Sequence, residues 1–267
     1  MSETSRVAKA FSTAAGESRA AFVAYLTAGD PSPGATVELA KAVAAGGADV
    51  LELGVPFSDP IADGATLQRA AGRALAAGTT LDDVFAAAEE IRKETSLALL
   101  LFSYANPLLA RGVRRVFGTA ARAGFDAVLL TDVPVEESRE MRAPIAAAGL
   151  DPVFLVSPTS TAARMGRAAA ASRGFLYVVS RAGTTGERSG LAASLENTVA
   201  RARRAAGALP IAVGFGIATP GDARRVARLA DGVVVGSALV ACVEKSGKES
   251  PRKLESFVRS LVKACRR

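Results

Sequence analysis

Apolar, β-branched runs that alternate about eight times with helical patterns predict an α/β fold, a single (β/α)8 TIM barrel preceded by a short N-terminal helix. Two further observations support it. No linker, strict repeat or low-complexity stretch interrupts the alternation, so residues 1–267 read as one barrel domain. The runs also end in loops that are polar or rich in glycine, which is where such a barrel carries its chemistry. A doubly wound open sheet is the rival, but it usually has fewer strands in one domain.

The elements follow in order. An amphipathic segment, Arg6 to Ala15, precedes the first strand, Ala21 to Thr27. Gly29-Asp30-Pro31 turns the chain, and Ser32-Pro33 opens a helix to about Ala45, proline being suited to a first turn. The second strand is Val50 to Leu53; helical sequence from Asp63-Gly64 runs to about Ala77, and Thr80 caps a further helix whose first turn holds Asp82 and Asp83. The third strand, Leu97 to Phe102, closes with Ser103-Tyr104-Ala105-Asn106-Pro107, before a helix near 113–123. The fourth, Ala127 to Leu130, ends at Asp132, and Pro134 starts the next helix. The fifth, Pro152 to Val156, leads to a helix over 160–171. The sixth, Phe175 to Val179, ends at Arg181 and the loop AGTTGERSG. Helix 195–205, the seventh strand Pro210 to Val213, a helix near Thr219, the eighth strand Gly232 to Val235 and a last helix from about Pro251 complete the count.

The stretch Ala48 to Gln68, ADVLELGVPFSDPIADGATLQ, organises the rest. In a strand Ala48, Val50 and Glu52 share one face and Asp49, Leu51 and Leu53 the other. Glu52 therefore sits at the mouth of a core, either as a reactive acid or as a buried one paired with Arg or Lys. The loop beyond it delivers a second carboxylate, Asp63, which is either part of a site or an N-cap of the following helix. Tyr25, Tyr104, Asn106 and Asp132 lie at the same ends of their strands. The last three strands are followed instead by glycines: Gly183 and Gly186, Gly214 and Gly216, and Gly236 beside Ser237. Three successive loops of this kind look like a phosphate site, since small residues let N–H groups approach an anion and a helix N-terminus adds partial positive charge. Each glycine taken alone only permits a turn.

Composition narrows the chemistry. There is no histidine, which removes His triads, His metal sites and imidazole acid–base work. The two cysteines, Cys242 and Cys265, have no CxxC spacing, so no metal is expected and the compartment reads as reducing. Net charge is +7, spread over helical arginines without interleaved aromatics, which fits an anionic small substrate and gives no nucleic-acid signature. No run approaches the ~18 apolar residues of a membrane helix, and the N-terminus lacks a secretory apolar core. A cytoplasmic, soluble enzyme without membrane or nucleic-acid partners is expected.

FVAYLTAGDP, LELGVPFSDPIADGATLQ, TDVPVEES, YVVSRAGTTG, VGFGI and GSALV, in this order between about Ala21 and Val240, closely resemble the tryptophan synthase alpha subunit family. The resemblance implies a lyase of tryptophan biosynthesis. It would cleave indole-3-glycerol phosphate by a retro-aldol reaction to indole and glyceraldehyde 3-phosphate. It also implies roles. Glu52, Asp63 and Tyr177 would be active-site residues, and Gly186, Gly216, Gly236 and Ser237 would hold the phosphate. Tyr25, Leu67, Tyr104 and Phe215 would line the indole pocket, and Arg181 and Thr185 would belong to a mobile loop.

A pyridoxal-phosphate β subunit would complete an α2β2 complex, meeting Pro56 and Asp59 in a loop and Asn106 and Pro107 in a second contact segment. No cofactor is expected in this chain itself. Val55-Pro56-Phe57, expected to be exposed and apolar, suits an interface, although a loop folded onto its own barrel would look the same. Ala24, Thr184 and Ala218 depart from the usual Pro, Val and Ser of the family. A stand-alone lyase releasing free indole, and a non-catalytic phosphate-binding barrel, remain as alternatives.

Overall fold

The protein was analysed in a computed structural model that describes residues 5–179, 190–214 and 216–267, the side chains of 190–194 excepted. Its strands are β1 Ala21–Thr27, β2 Val50–Gly54, β3 Ala98–Ser103, β4 Ala127–Leu130, β5 Asp151–Pro152, β6 Leu155–Val156, β7 Leu176–Val179, β8 Ile211–Gly214 and β9 Gly232–Val235. All pair in parallel, in the order β5-β4-β3-β2-β1-β9-β8-β7-β6.

The expected fifth strand is the one that differs. It is broken into β5 and β6, and these are the two ends of the sheet. Pro152 has no N–H to offer a neighbour, and the chain changes partner within two residues: Val153 donates to the carbonyl of Val128 at 2.9 Å, whereas Phe154 accepts from Tyr177 at 3.1 Å. One short segment thus bonds β4 on one side and β7 on the other. The sheet curls back on itself there, as the barrel reading requires.

Strand parity separates two apolar layers. Phe22, Leu51, Leu53, Leu99, Leu101, Val178 and Val233 face outward against the helices. Val23, Tyr25, Val50, Leu100, Leu129, Phe175, Tyr177 and Val234 point into the lumen. The N-terminal helix α1, Arg6–Gly16, closes the lower end of the lumen with Val7, Phe11 and Ala14. Phe11 stacks on Phe175 with ring centroids 5.1 Å apart.

The remaining helices are α2 Ala35–Ala45, α3 Ala65–Ala76, α4 Leu81–Glu94, α5 Ala105–Leu109, α6 Val113–Arg122, α7 Arg139–Ala147, α8 Ala162–Ala171, α9 Gly190–Ala206, α10 Pro220–Ala227, α11 Ser237–Ser246 and α12 Ser250–Ala264. Thr80 caps α4 and Thr219 caps α10, each in a reciprocal box with the aspartate three residues on. Three local expectations are corrected. Asn106 and Pro107, expected to close the third strand run, lie in the short helix α5. Pro134 begins a turn, its carbonyl accepting from Glu137 at 3.0 Å, and the helix itself starts at Arg139. Two helices, α11 and α12, follow the last strand where one was expected, because Gly247 with φ +53° breaks the run.

Candidate active site

Register brings the first site residues together. Glu52 lies opposite Tyr25 on β1 and Leu100 on β3, and it points into the lumen with Val50. Its residue surface is 1% exposed. The ion pair with Arg or Lys left open by the sequence is absent among the described residues, and Oε1 has no hydrogen-bond partner there. Burial alone pushes the Glu52 carboxyl up to about 8, so it carries its proton at neutral pH.

Tyr177, from β7, is buried in the same lumen. Burial, and then the Glu52 charge, drives its phenol well above the usual tyrosine range. Two glycines make room for the tyrosine hydroxyls. A Cβ at Gly54 would lie 2.2 Å from Tyr25 Oη, and one at Gly214 would lie 2.2 Å from Tyr177 Oη. Gly214 was grouped in the sequence with the anion-binding glycines, and its observed contact is this one. In the sequence Gly54, closing a strand two residues after a glutamate, reads only as a turn.

Asp63 does not cap α3. Gly64 occupies the N-cap position without a side-chain bond, and Asp63 points instead toward β3. The Tyr104 hydroxyl donates to Asp63 Oδ2 at 3.0 Å and accepts from the Ala62 N–H at 2.9 Å. Burial raises the Asp63 pKa, and the Tyr104 hydrogen bond opposes the rise. Burial and the Asp63 charge in turn push the Tyr104 phenol up. Phe57 packs on Tyr104 with centroids 5.3 Å apart.

The expectation that Val55-Pro56-Phe57 is exposed is corrected. Val55 extends the β2 register by donating to the Phe102 carbonyl at 2.9 Å; Val55 and Pro56 are buried and Phe57 is half-buried. Asp59 and Asn106 are exposed and Pro107 is half-buried; Ile61, 86% exposed, is the apolar residue this loop presents to solvent.

Glu52 and Asp63 line one cavity, which holds about 630 Å³ of empty space counted out to its open mouth. Tyr25, Leu67 and Tyr177 line it too, whereas Tyr104, expected among the ring-wall residues, is not in its lining and meets the site through Asp63. Phe102, Ile217, Val234 and Ala238 were not foreseen; the strand residues among them follow from parity once the lumen face is known. Gly216, Ala218, Gly236 and Ser237 line the same cavity. Gly216 has φ +83°, a left-handed conformation that favours glycine. Gly236 is the N-cap of α11 and Ser237 its first residue, so the Ser237 and Ala238 N–H groups have no acceptor within the helix. Arg181, Thr184, Thr185, Gly186 and Phe215 lie outside the described residues.

An ion-pair network braces this end of the barrel. Arg73 on α3 binds both oxygens of Asp30, at 2.7 and 2.9 Å, and donates to Glu244 on α11 at 2.7 Å. Arg69 binds Glu244 through two further bonds of 2.8 Å. These arginines hold the Glu244 carboxyl down at about 2. The helix following Asp63 and the helix headed by Ser237 are thereby tied to each other and to the loop after β1. In the sequence these residues read only as charges on helix faces.

Among the described residues no three His, Cys, Asp or Glu side chains converge as metal ligands, and no helix is long and apolar enough to cross a membrane. The family profile described as tryptophan synthase alpha chain matches residues 11–266. The chain is 49% identical over 258 residues to the tryptophan synthase alpha chain of Solibacter usitatus, covering 96% of each, and 46% identical over 261 residues to that of Geobacter sulfurreducens, covering 97% of this chain and 98% of the relative. It superposes on tryptophan synthase subunit alpha from Legionella pneumophila with a TM-score of 0.89 at 36% identity, over 98% of both chains. A chain of tryptophan synthase from M. tuberculosis gives a TM-score of 0.89 at 33% identity, over 98% of this chain and 99% of that one. Sequence likeness along nearly the whole length and a shared barrel agree: this chain belongs to the tryptophan synthase alpha chain family.

Proposed function

We propose that this chain cleaves indole-3-glycerol phosphate to indole and glyceraldehyde 3-phosphate, with Glu52 as the acid and base and Asp63 as the electrostatic partner. The observation that carries this reading is the buried Glu52 carboxyl, protonated at neutral pH, sharing a cavity with a second carboxyl in a different environment. Glu52 gives its proton to C3 of the indole ring, creating an indoleninium cation. The C3 to side-chain bond then breaks, and its electrons return to the ring. The adjacent hydroxyl becomes an aldehyde as its proton passes to the Glu52 carboxylate, which restores the acid.

Asp63 acts ionised, its negative charge offsetting the cation near the ring N–H. Unequal surroundings give two carboxyls unequal roles. Tyr177 packs beside Glu52 and keeps water from it. Tyr25, Leu67 and Phe102 form the apolar wall for the ring. Gly216, Gly236 and Ser237, with the N-terminus of α11, receive the phosphate. On the resemblance alone, Gly186 belongs with them, Phe215 with the ring wall, and Arg181 and Thr185 with a loop that closes over the site.

The partner is a tryptophan synthase β subunit, in an α2β2 complex whose pyridoxal phosphate resides in β. Asp59, Ile61 and Asn106 offer it an exposed surface at the cavity end of the barrel, with Pro56 and Pro107 supporting that surface from behind. The cytoplasm suits such a biosynthetic enzyme.

Indole release from indole-3-glycerol phosphate, measured alone and with β titrated in, tests the reading. Weak turnover that rises strongly with β and vanishes in Glu52→Gln is the expected result. Fast turnover indifferent to β would favour a stand-alone lyase, and no turnover in either condition would leave a phosphate-binding barrel.

A further inference from the structure

Tyr104 reaches Asp63 from the start of a helix it does not cap. It occupies the N-cap position of α5, yet its side chain makes no hydrogen bond to that helix, because its hydroxyl is committed to Asp63 and Ala62. The missing acceptor comes from the next strand. Asp132, two residues beyond the end of β4, accepts the Ala105 N–H on Oδ1 at 2.8 Å. Thr131 donates both its N–H, at 3.0 Å, and its hydroxyl, at 3.4 Å, to the Ser103 carbonyl. The backbone on both sides of Tyr104 is thus held by residues 131 and 132, and the ring between them is aimed at Asp63.

We propose that Asp132 is a positioning residue for Asp63, acting through the Ala105 N–H and the Tyr104 ring. The inference rests on the reading of Asp63 given above. Asp132 is exposed and does not line the cavity, so it acts without touching substrate. A side-chain oxygen accepting a helix N-terminal N–H is a strong cap, and a small shift in a group that meets a developing charge is costly. Asp63 matters most once the ring becomes cationic, so the effect falls on kcat rather than KM. α5 also carries Asn106 and Pro107. A partner gripping that helix would therefore restrain the same tyrosine that Asp132 restrains.

The test compares Asp132→Ala with Asp132→Asn, which keeps an oxygen acceptor, in Tyr104 and Tyr104→Phe backgrounds. Asp132→Ala is expected to lower kcat for indole release about five- to tenfold, the effect of losing one cap, and to change KM less than about twofold. Asp132→Asn should recover most of that loss. In the Tyr104→Phe background Asp132→Ala should cost nothing more, since one route cannot be broken twice.

The chain has three tyrosines, so 3-fluorotyrosine labelling gives one fluorine resonance each for Tyr25, Tyr104 and Tyr177. Asp132→Ala should move the Tyr104 resonance and leave the other two in place. Losses that multiply across the two backgrounds, or a Tyr104 resonance that stays put, would overturn the proposal. A wild-type chain without turnover would fail the earlier reading instead, and the fluorine spectrum would still decide whether Asp132 holds Tyr104.

Discussion

Replacing Glu52 by Gln removes the ionisable proton of a buried carboxyl while nearly keeping its shape. In the folded chain burial raises this group from 4.5 to about 8, so between those values the folded state holds a proton that the unfolded state has released. More protons bound by the folded state means stability that declines as pH rises. The stabilisation of the protonated form is fully present below about 4.5 and is lost progressively as pH passes through 8. Relative to Gln, wild type should lose about 1 kcal/mol at pH 5, about 3 kcal/mol at pH 7 and about 5 kcal/mol at pH 9. Any constant offset from the amide cancels in the pH dependence. Urea unfolding of both proteins from pH 5 to 9 reads this difference, followed by circular dichroism because the chain has no tryptophan. Glu52→Gln should become steadily the more stable of the two, even as it loses activity. A stability difference that stays flat across the range would refute the burial argument, and with it the assignment of Glu52 as an acid at neutral pH.

The same two carboxyls set the pH profile of indole release. Glu52 must start protonated and Asp63 ionised, so kcat/KM should fall on the alkaline side near pH 8, with an acid limb displaced above the ordinary aspartate range; a rate still climbing at pH 9 contradicts the roles. Gly54→Ala would place a methyl 2.2 Å from Tyr25 Oη. Overpacking of this kind should cost roughly 1–3 kcal/mol in urea unfolding and raise KM by moving the ring wall; wild-type values for both would show that Tyr25 is free to swing away. Arg73→Met strips the partner from Asp30, which is 3% exposed. It should destabilise by roughly 3 kcal/mol, the lower end for a broken buried pair because Arg73 itself is partly solvated. Adding Asp30→Asn should recover part of the loss, and independent, additive losses would mean the pair is not coupled.

The barrel was legible because its signal repeats. A strand missed by a residue or two at either end still leaves eight alternations, and parity around Glu52 alone set which face meets the lumen. The break at Val153-Phe154 was not legible, because it belongs to closure. Whether one segment serves two neighbours depends on where the first and last strands meet, and only Pro152 hinted at it. The helix α11, Ser237–Ser246, was likewise not legible, because its opening Gly236-Ser237 reads first as a glycine loop after the last strand.

The site divides along the same line. Glu52 could be singled out by an argument internal to its strand, whereas the environment of Asp63 depends on a tyrosine 41 residues away. The sequence left a helix cap as one reading of Asp63, and that reading is local; the observed partner comes from the segment just past the neighbouring strand. Gly64 takes the cap position, with no side chain to compete, and so leaves the Asp63 carboxylate free to turn toward Tyr104. The two acids therefore differ in how their surroundings arise. The lumen sets one through burial, and the other is set by a hydrogen bond between loops that meet only when the barrel is complete. A substitution that loosens the loops without opening the lumen should alter the acid limb of the pH profile and spare the alkaline one, because only Asp63 depends on where the loops lie.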